Sequence, residues 1–186
     1  MSTRERHPAD LLRLGLGCAV VGAGTAIARM PAPSNFEIDA FRFVNDLPDA
    51  FHIPLQVVMQ LGTPAAVIVV VAIALGFRRP WTALSAGLAG GVGFVGAHVM
   101  RQLVGRERPA ELLTHIVVRG SWITDFGYPS GYATTAAALA AGLAPHLPRP
   151  ARRAAWAAVG LVAIARMYVG AQLPFDVIGG IALGSA

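Results

Sequence analysis

Three short stretches of this chain carry the residue types needed to hold a tetrahedral oxyanion: Arg101 to Pro109 (RQLVGRERP), Tyr128 to Tyr132 (YPSGY) and Arg166 to Asp176 (RMYVGAQLPFD). Arg101, Arg108 and Arg166 supply guanidiniums, whose planar forks meet an oxyanion with two hydrogen bonds at a time. Pro129-Ser130-Gly131 reads as a helix start, where unpaired backbone N–H groups and the positive end of the helix dipole favour an anion. Ser130 adds a hydroxyl donor, and Gly131 lets an oxyanion come close to the backbone. Gly105 and Pro109 let the chain turn, so that Arg101 and Arg108 can face one point. Pro174 marks the start of a further helix, with Asp176 in its first turn.

The elements that position these stretches must cross a membrane. The chain has 186 residues, 55% of them hydrophobic and 13% charged, and a mean hydropathy of +0.57. That is too apolar for an ordinary soluble domain. All fifteen basic residues are Arg, and they sit at the ends of apolar runs and not along one basic face, so no nucleic-acid partner is expected. A span takes about 20 mostly apolar residues. Candidate spans lie near 11–29, 55–77, 81–103, 130–147, 153–170 and 174–186. The expected architecture is an all-α, six-helix transmembrane bundle forming one domain over residues 1–186. The last segment has only thirteen residues, so it is either a short helix or one cut off by the end of the sequence.

Arginine in short loops marks the cytoplasmic side. Arg4 with Arg6, Arg78 with Arg79, and Arg149 with Arg152 and Arg153 fall on one side under strict alternation. Both termini are then expected in the cytoplasm, with all three stretches converging outside the cytoplasmic membrane. Segment 30–54 falls outside and carries Glu37, Asp39, Asp46 and Asp49 against Arg42. The phasing of Phe36, Ile38, Phe41, Phe43, Val44 and Leu47 predicts an amphipathic helix in the outer interface. Gly87, Gly90, Gly91, Gly93 and Gly96 favour close helix packing and predict a central place for the third segment.

Blander readings stand beside each of these. Arg101, Arg106 and Arg108 could snorkel to outer head groups, and Asp176 could be a structural partner of Arg166. Arg4, Arg6 and Arg13 ahead of an apolar run ending Ala26-Ile27-Ala28 also fit a signal peptide. Cys18, the single cysteine, allows no intramolecular disulfide and reads as a small buried residue. His98 and His115 read as packing or solvated residues, and Asp125 as a loop or capping residue.

The three stretches together resemble the motifs of the phosphatidic acid phosphatase type 2 (PAP2) family, whose helical core is shared with vanadium haloperoxidases. The first family motif, Lys, six residues, Arg-Pro, is met by Arg101, six residues, Arg108-Pro109. The second, Pro-Ser-Gly-His, is met by Pro129-Ser130-Gly131-Tyr132. The third, Ser-Arg, five residues, His, three residues, Asp, is met by Ala165-Arg166, five residues, Gln172, three residues, Asp176. The resemblance implies that Arg101, Arg108, Ser130, Gly131 and Arg166 hold phosphate. It places Tyr132 where the family has its proton donor, Gln172 at the nucleophile and Asp176 at the residue that orients it. It implies no metal and no cofactor.

Both family histidines are absent. A carboxamide nitrogen has no lone pair free to attack phosphorus, although its NH₂ can donate to a phosphate oxygen. A phenol with an ordinary pKa near ~10 is a weak proton donor at neutral pH. Three functions compete. The first is binding of a polyprenyl or glycerophospholipid phosphate without hydrolysis, to present that lipid to a partner such as a membrane enzyme or transporter subunit, to help move it, or to sense it. The second is phosphatase activity by a modified mechanism, such as water attack assisted by Asp176. The third is a structural subunit whose arginines only fix the bundle.

Overall fold

The computed structural model describes residues 8–120 and 125–186. Arg4 and Arg6, on which the expected orientation of the N-terminus rests, lie outside them. The described residues form helices only: α1 (Pro8–Ala28), α2 (Asn35–Asn45), α3 (His52–Met59), α4 (Pro64–Gly76), α5 (Pro80–Val104), α6 (Pro109–Leu112), α7 (Gly131–Leu143), α8 (Arg149–Tyr168) and α9 (Pro174–Ser185). Local sequence sets the boundaries. Ser34, Thr63 and Ser130 accept the N–H of Glu37, Ala66 and Ala133 as helix caps. Proline opens α4, α5, α6 and α9, where its missing N–H costs nothing.

The centre of the bundle is α7, and not the third expected span. Every residue from Ala133 to Ala140 is buried, and α5, α8 and α9 all pack on this helix. Its run of alanine and threonine is thin enough to be approached from every side. Gly93 of α5 abuts Ala138, and a Cβ on Gly180 of α9 would lie 2.6 Å from the Ser130 carbonyl oxygen. One face of α5 instead looks outward, with Leu84, Leu88, Val92, Val95, Val99 and Leu103 exposed. Such a continuous apolar surface suits contact with lipid.

The expected span 55–77 is broken into α3 and α4, bent by 66°. Gly62 sits against the Tyr132 backbone, and Thr63 with Pro64 starts a new helix there. α3 then packs on α8, whereas α4 packs on α5. By length and apolarity the run Pro80–Leu112 is the one helical stretch among the described residues able to cross a membrane alone, and the bent pair supplies a second. The other expected spans correspond to α1, α7, α8 and α9.

α2 lies inside segment 30–54, but its inner face differs from the apolar phasing. Glu37, Phe41 and Asn45 are buried, one helical turn apart, while Phe36 and Phe43 face outward at 73% and 78% exposure. Polar side chains turn inward because ionic and hydrogen-bonding partners wait there. Cys18 is exposed and not a packed core residue. α1 joins the bundle through Tyr128, whose ring lies against Gly24 and Gly179. Its hydroxyl donates to the Val21 carbonyl at 2.9 Å. Burial pushes this phenol above its ordinary pKa, which keeps the donor proton in place.

Candidate anion site

The first motif is shaped by the end of α5. Gly105 takes the left-handed conformation, φ +66°, and its N–H bonds the Arg101 carbonyl at 2.9 Å. Glycine adopts this turn without strain, and the turn carries both Arg106 and Arg108 inward, to 6% exposure each. Arg108 donates from Nη1 to the Ala171 carbonyl at 3.0 Å and from Nε to the Asp125 carbonyl. Its backbone N–H donates to Glu111 Oε2 at 3.4 Å, while its guanidinium has no carboxylate among its hydrogen-bond partners.

Arg101 packs on the start of α7: a Cβ on Gly131 would lie 3.0 Å from its Nη1. Its Nε is 3.3 Å from Asp125 Oδ2, yet the N–H does not point at that oxygen and Nε has no hydrogen-bond acceptor. Asp125 is thus a rim carboxylate beside the cluster. Arg166, near the end of α8, is 3% exposed. Its guanidinium lies over the Tyr132 ring, 4.2 Å from the centroid, a cation–π arrangement. Nη1 meets the Met59 sulfur at 3.5 Å, and Nε is buried with no acceptor. Arg101 and Arg108 both lie within electrostatic reach of Arg166.

Three guanidiniums therefore gather with two carboxylates at the edge, Asp125 beside Arg101 and Glu111 on the pocket wall. A pocket of about 180 Å³ opens between Arg108, Arg166 and Tyr132, with Gln56 and Met59 of α3 on its wall. The break between α3 and α4 is what brings those two residues over the site. Ser130 is fully buried and accepts from Ala133 N–H at 3.4 Å, which leaves its hydroxyl hydrogen to donate. Gln172 is 1% exposed, and its Oε1 is buried without a partner. Among the described residues four buried side-chain polar atoms lack a partner, and three of them belong to Arg101, Arg166 and Gln172. Orphaned buried donors are costly, and an oxyanion would satisfy those of the arginines.

Asp176 is placed differently from the expected pairing with Arg166. Its Oδ1 accepts from Arg106 Nη1 at 2.8 Å and its Oδ2 from Leu173 N–H at 2.8 Å. Arg106 also forms a two-point pair with Glu37, Nη1 to Oε1 at 3.0 Å and Nη2 to Oε2 at 2.7 Å. Glu37 and Asp176 are fully buried. Arg106 does not snorkel; one guanidinium serves two interior carboxylates and ties α2 to α9. Asp176 engaged on both oxygens is a poor general base for water.

His98 and His115 are exposed and neither lines the pocket, so neither supplies a replacement imidazole. No cluster of His, Cys, Asp and Glu suited to a metal occurs among the described residues.

The PAP2 superfamily profile matches residues 66–186. The chain belongs to the PAP2 superfamily. Over 110 residues this PAP2 protein is 36% identical to a decaprenylphosphoryl-5-phosphoribose phosphatase of Mycobacterium tuberculosis, covering 58% of this chain and 57% of that one. The match thus spans little more than half the length of that curated relative. Two crystal structures share the fold. LpxE of Aquifex aeolicus aligns with a TM-score of 0.75 at 19% identity, over 84% of this chain and 94% of its own. A transmembrane PAP2-type phosphatidylglycerolphosphate phosphatase of Bacillus subtilis aligns with a TM-score of 0.68 at 20% identity, over 94% and 90%. The apolar outer surface of α5 and the length of its helical run suit a membrane protein.

Residue-by-residue reading missed Glu37, Asn45 and Arg119. Arg119 reaches Asp49, the carbonyls of Asn45, Leu47 and Tyr168, and the Tyr168 ring. Asn45 binds Val117 through both its N–H and its carbonyl. Together they fix the end of α8 just beyond Arg166. The one available signal was that Glu37 and Asn45 sit at i, i+8 on the face of Phe41, in a helix read as amphipathic.

Proposed function

We propose that this PAP2 protein binds the phosphate of a membrane lipid at the outer face of the cytoplasmic membrane and does not hydrolyse it by histidine chemistry. One observation carries the reading. Arg108 and Arg166 border a pocket with neither guanidinium ion-paired, although Glu111 lies on its wall, while a carboxamide, Gln172, stands at the nucleophile position. Arg101, Arg108, Arg166, Ser130 and Gly131 form the phosphate cradle; Tyr132 stacks on Arg166 in place of a proton donor. A polyprenyl phosphate is the favoured ligand, because the relative from Mycobacterium tuberculosis is named for a decaprenylphosphoryl substrate; a glycerophospholipid phosphate is the other. The lipid would be handed to a membrane enzyme or transporter subunit. In this reading the chain is one domain of six spans, the α3–α4 pair forming one of them, with α2 in the outer interface and both termini cytoplasmic.

The second reading, hydrolysis by another mechanism, is favoured by the phosphatase activity in that relative's name. The engagement of Asp176 with Arg106 and Leu173 weighs against it, since water attack needs a free base. A purely structural role is weakened by the unpaired guanidiniums. The separating experiment titrates polyprenyl phosphate and phosphatidic acid into the purified protein by calorimetry. Saturable binding, weakened about ten-fold or more by Arg166→Ala, is expected, in keeping with ~1.5–3 kcal/mol for a hydrogen bond to a charged group. Binding indifferent to Arg166→Ala sinks the proposal, and metal-independent phosphate release lost in Arg166→Ala establishes the hydrolytic reading instead.

A further inference from the structure

At the opposite end of α5, some 25 residues from the guanidinium pocket, three hollows adjoin one another. The middle one, about 540 Å³, is lined by Arg78, Arg79, Trp81, Thr82 and His146. On one side it shares Arg79 and Thr82 with a groove of about 340 Å³ walled by Val70, Ile73, Ala74 and Phe77. On the other it shares Trp81 and His146 with a groove of about 320 Å³ walled by Leu84, Leu88 and Pro145. A cationic basin thus sits between two apolar channels that flank the first turns of α5.

Charge in this region is one-sided. Residues 50–106 and 126–175 contain no Asp or Glu, and Arg78 and Arg79 have no carboxylate partner among the described residues. Phe77 and Trp81 are 76% and 74% exposed, as expected of aromatic side chains at the head-group level of a bilayer. His146 is held at the rim by a 3.3 Å contact between its Nε2 and Ser85 Oγ.

We propose that this end of the bundle holds one diacyl anionic phospholipid astride α5, its phosphate on Arg78 and Arg79 and one chain in each groove. Basic pockets between membrane helices recognise anionic head groups in this manner. The site is separate from the guanidinium pocket and does not depend on what that pocket binds. A single free phosphate would use the basin and leave both grooves empty; a two-chain lipid uses all three hollows.

Trp81 reports on the site directly. In a protein retaining only that tryptophan (Trp122→Phe, Trp156→Phe), placed in vesicles, quenching by chain-brominated phosphatidylglycerol is compared with quenching by chain-brominated phosphatidylcholine. A preference for the anionic lipid on the order of ten-fold is expected from two nearby arginines. It should fall to parity in Arg78→Gln/Arg79→Gln and persist in Arg78→Lys/Arg79→Lys. Raising NaCl to about 1 M, where the Debye length is ~3 Å, should remove it without any substitution. Millimolar inorganic phosphate should leave it intact. Equal quenching by the two lipids, a preference that survives the Gln pair or high salt, or full displacement by inorganic phosphate would overturn the proposal.

Discussion

Replacing Arg106 by glutamine strands two carboxylates in the protein interior. Glu37 and Asp176 are fully buried, and Arg106 is the one guanidinium paired with both. Removing one partner of a buried ion pair costs about 3–5 kcal/mol, because the remaining charge keeps its desolvation penalty and loses its compensation. Asp176 retains the Leu173 N–H and Glu37 the Phe175 N–H at 3.3 Å, and one carboxylate can take up a proton, so the loss should not double. Against a total stability of about 5–15 kcal/mol, this is a large fraction, and for a chain of this length it lowers Tm by on the order of 10 °C. Thermal unfolding of the detergent-purified protein, followed by circular dichroism, reads the effect. Arg106→Gln/Glu37→Gln, which leaves only Asp176 charged, should recover part of the loss. Arg106→Gln within about 0.5 kcal/mol of the unaltered protein, the range of ordinary surface substitutions, would refute the buried network, as would a double variant no better than the single one.

Three further outcomes follow from the same geometry. Tyr132→His with Gln172→His should introduce phosphate release from lipid phosphates, measured colorimetrically; a folded but inert double variant would mean that the arginine cluster cannot present phosphorus to an imidazole. Gly180→Val should prevent stable accumulation, since its side chain meets the Ser130 carbonyl and Thr134, whereas Gly91→Ala, with nothing within 4 Å, should accumulate normally on a membrane-fraction blot. Asn45→Ala, which loses bonds to Val117 and Tyr168, should cost about 2 kcal/mol or more, seen as a lower Tm.

The meeting of the three stretches was legible in the sequence because their motifs fix residue types at fixed spacings along helix ends. Arg108 and Arg166 needed only the turn at Gly105 and the helix ending near Tyr168 to come together. The partner of Asp176 was not legible. Arg106 and Arg108 stand two residues apart, and which of them turns to the carboxylates and which to the pocket depends on the turn that follows α5. Glu37 was hidden for a related reason: its helix looks apolar on one face, and only the tertiary placement of Arg106 makes an inward carboxylate affordable. The break after Met59 was visible as Gly62-Thr63-Pro64, yet apolar content on both sides concealed it. The centrality of α7 came from smallness on all its faces, a property that counting glycines in α5 could not rank.

A single-turnover measurement tests the central claim most directly. Radiolabelled polyprenyl phosphate is incubated with a stoichiometric excess of the protein in nanodiscs, and bound lipid and free phosphate are counted in the same sample. The expected result is lipid retained by the protein, lost in Arg166→Ala, with no phosphate released over the time in which the Tyr132→His/Gln172→His protein releases it. Phosphate released by the unaltered protein, or lipid retained equally by Arg166→Ala, would contradict it.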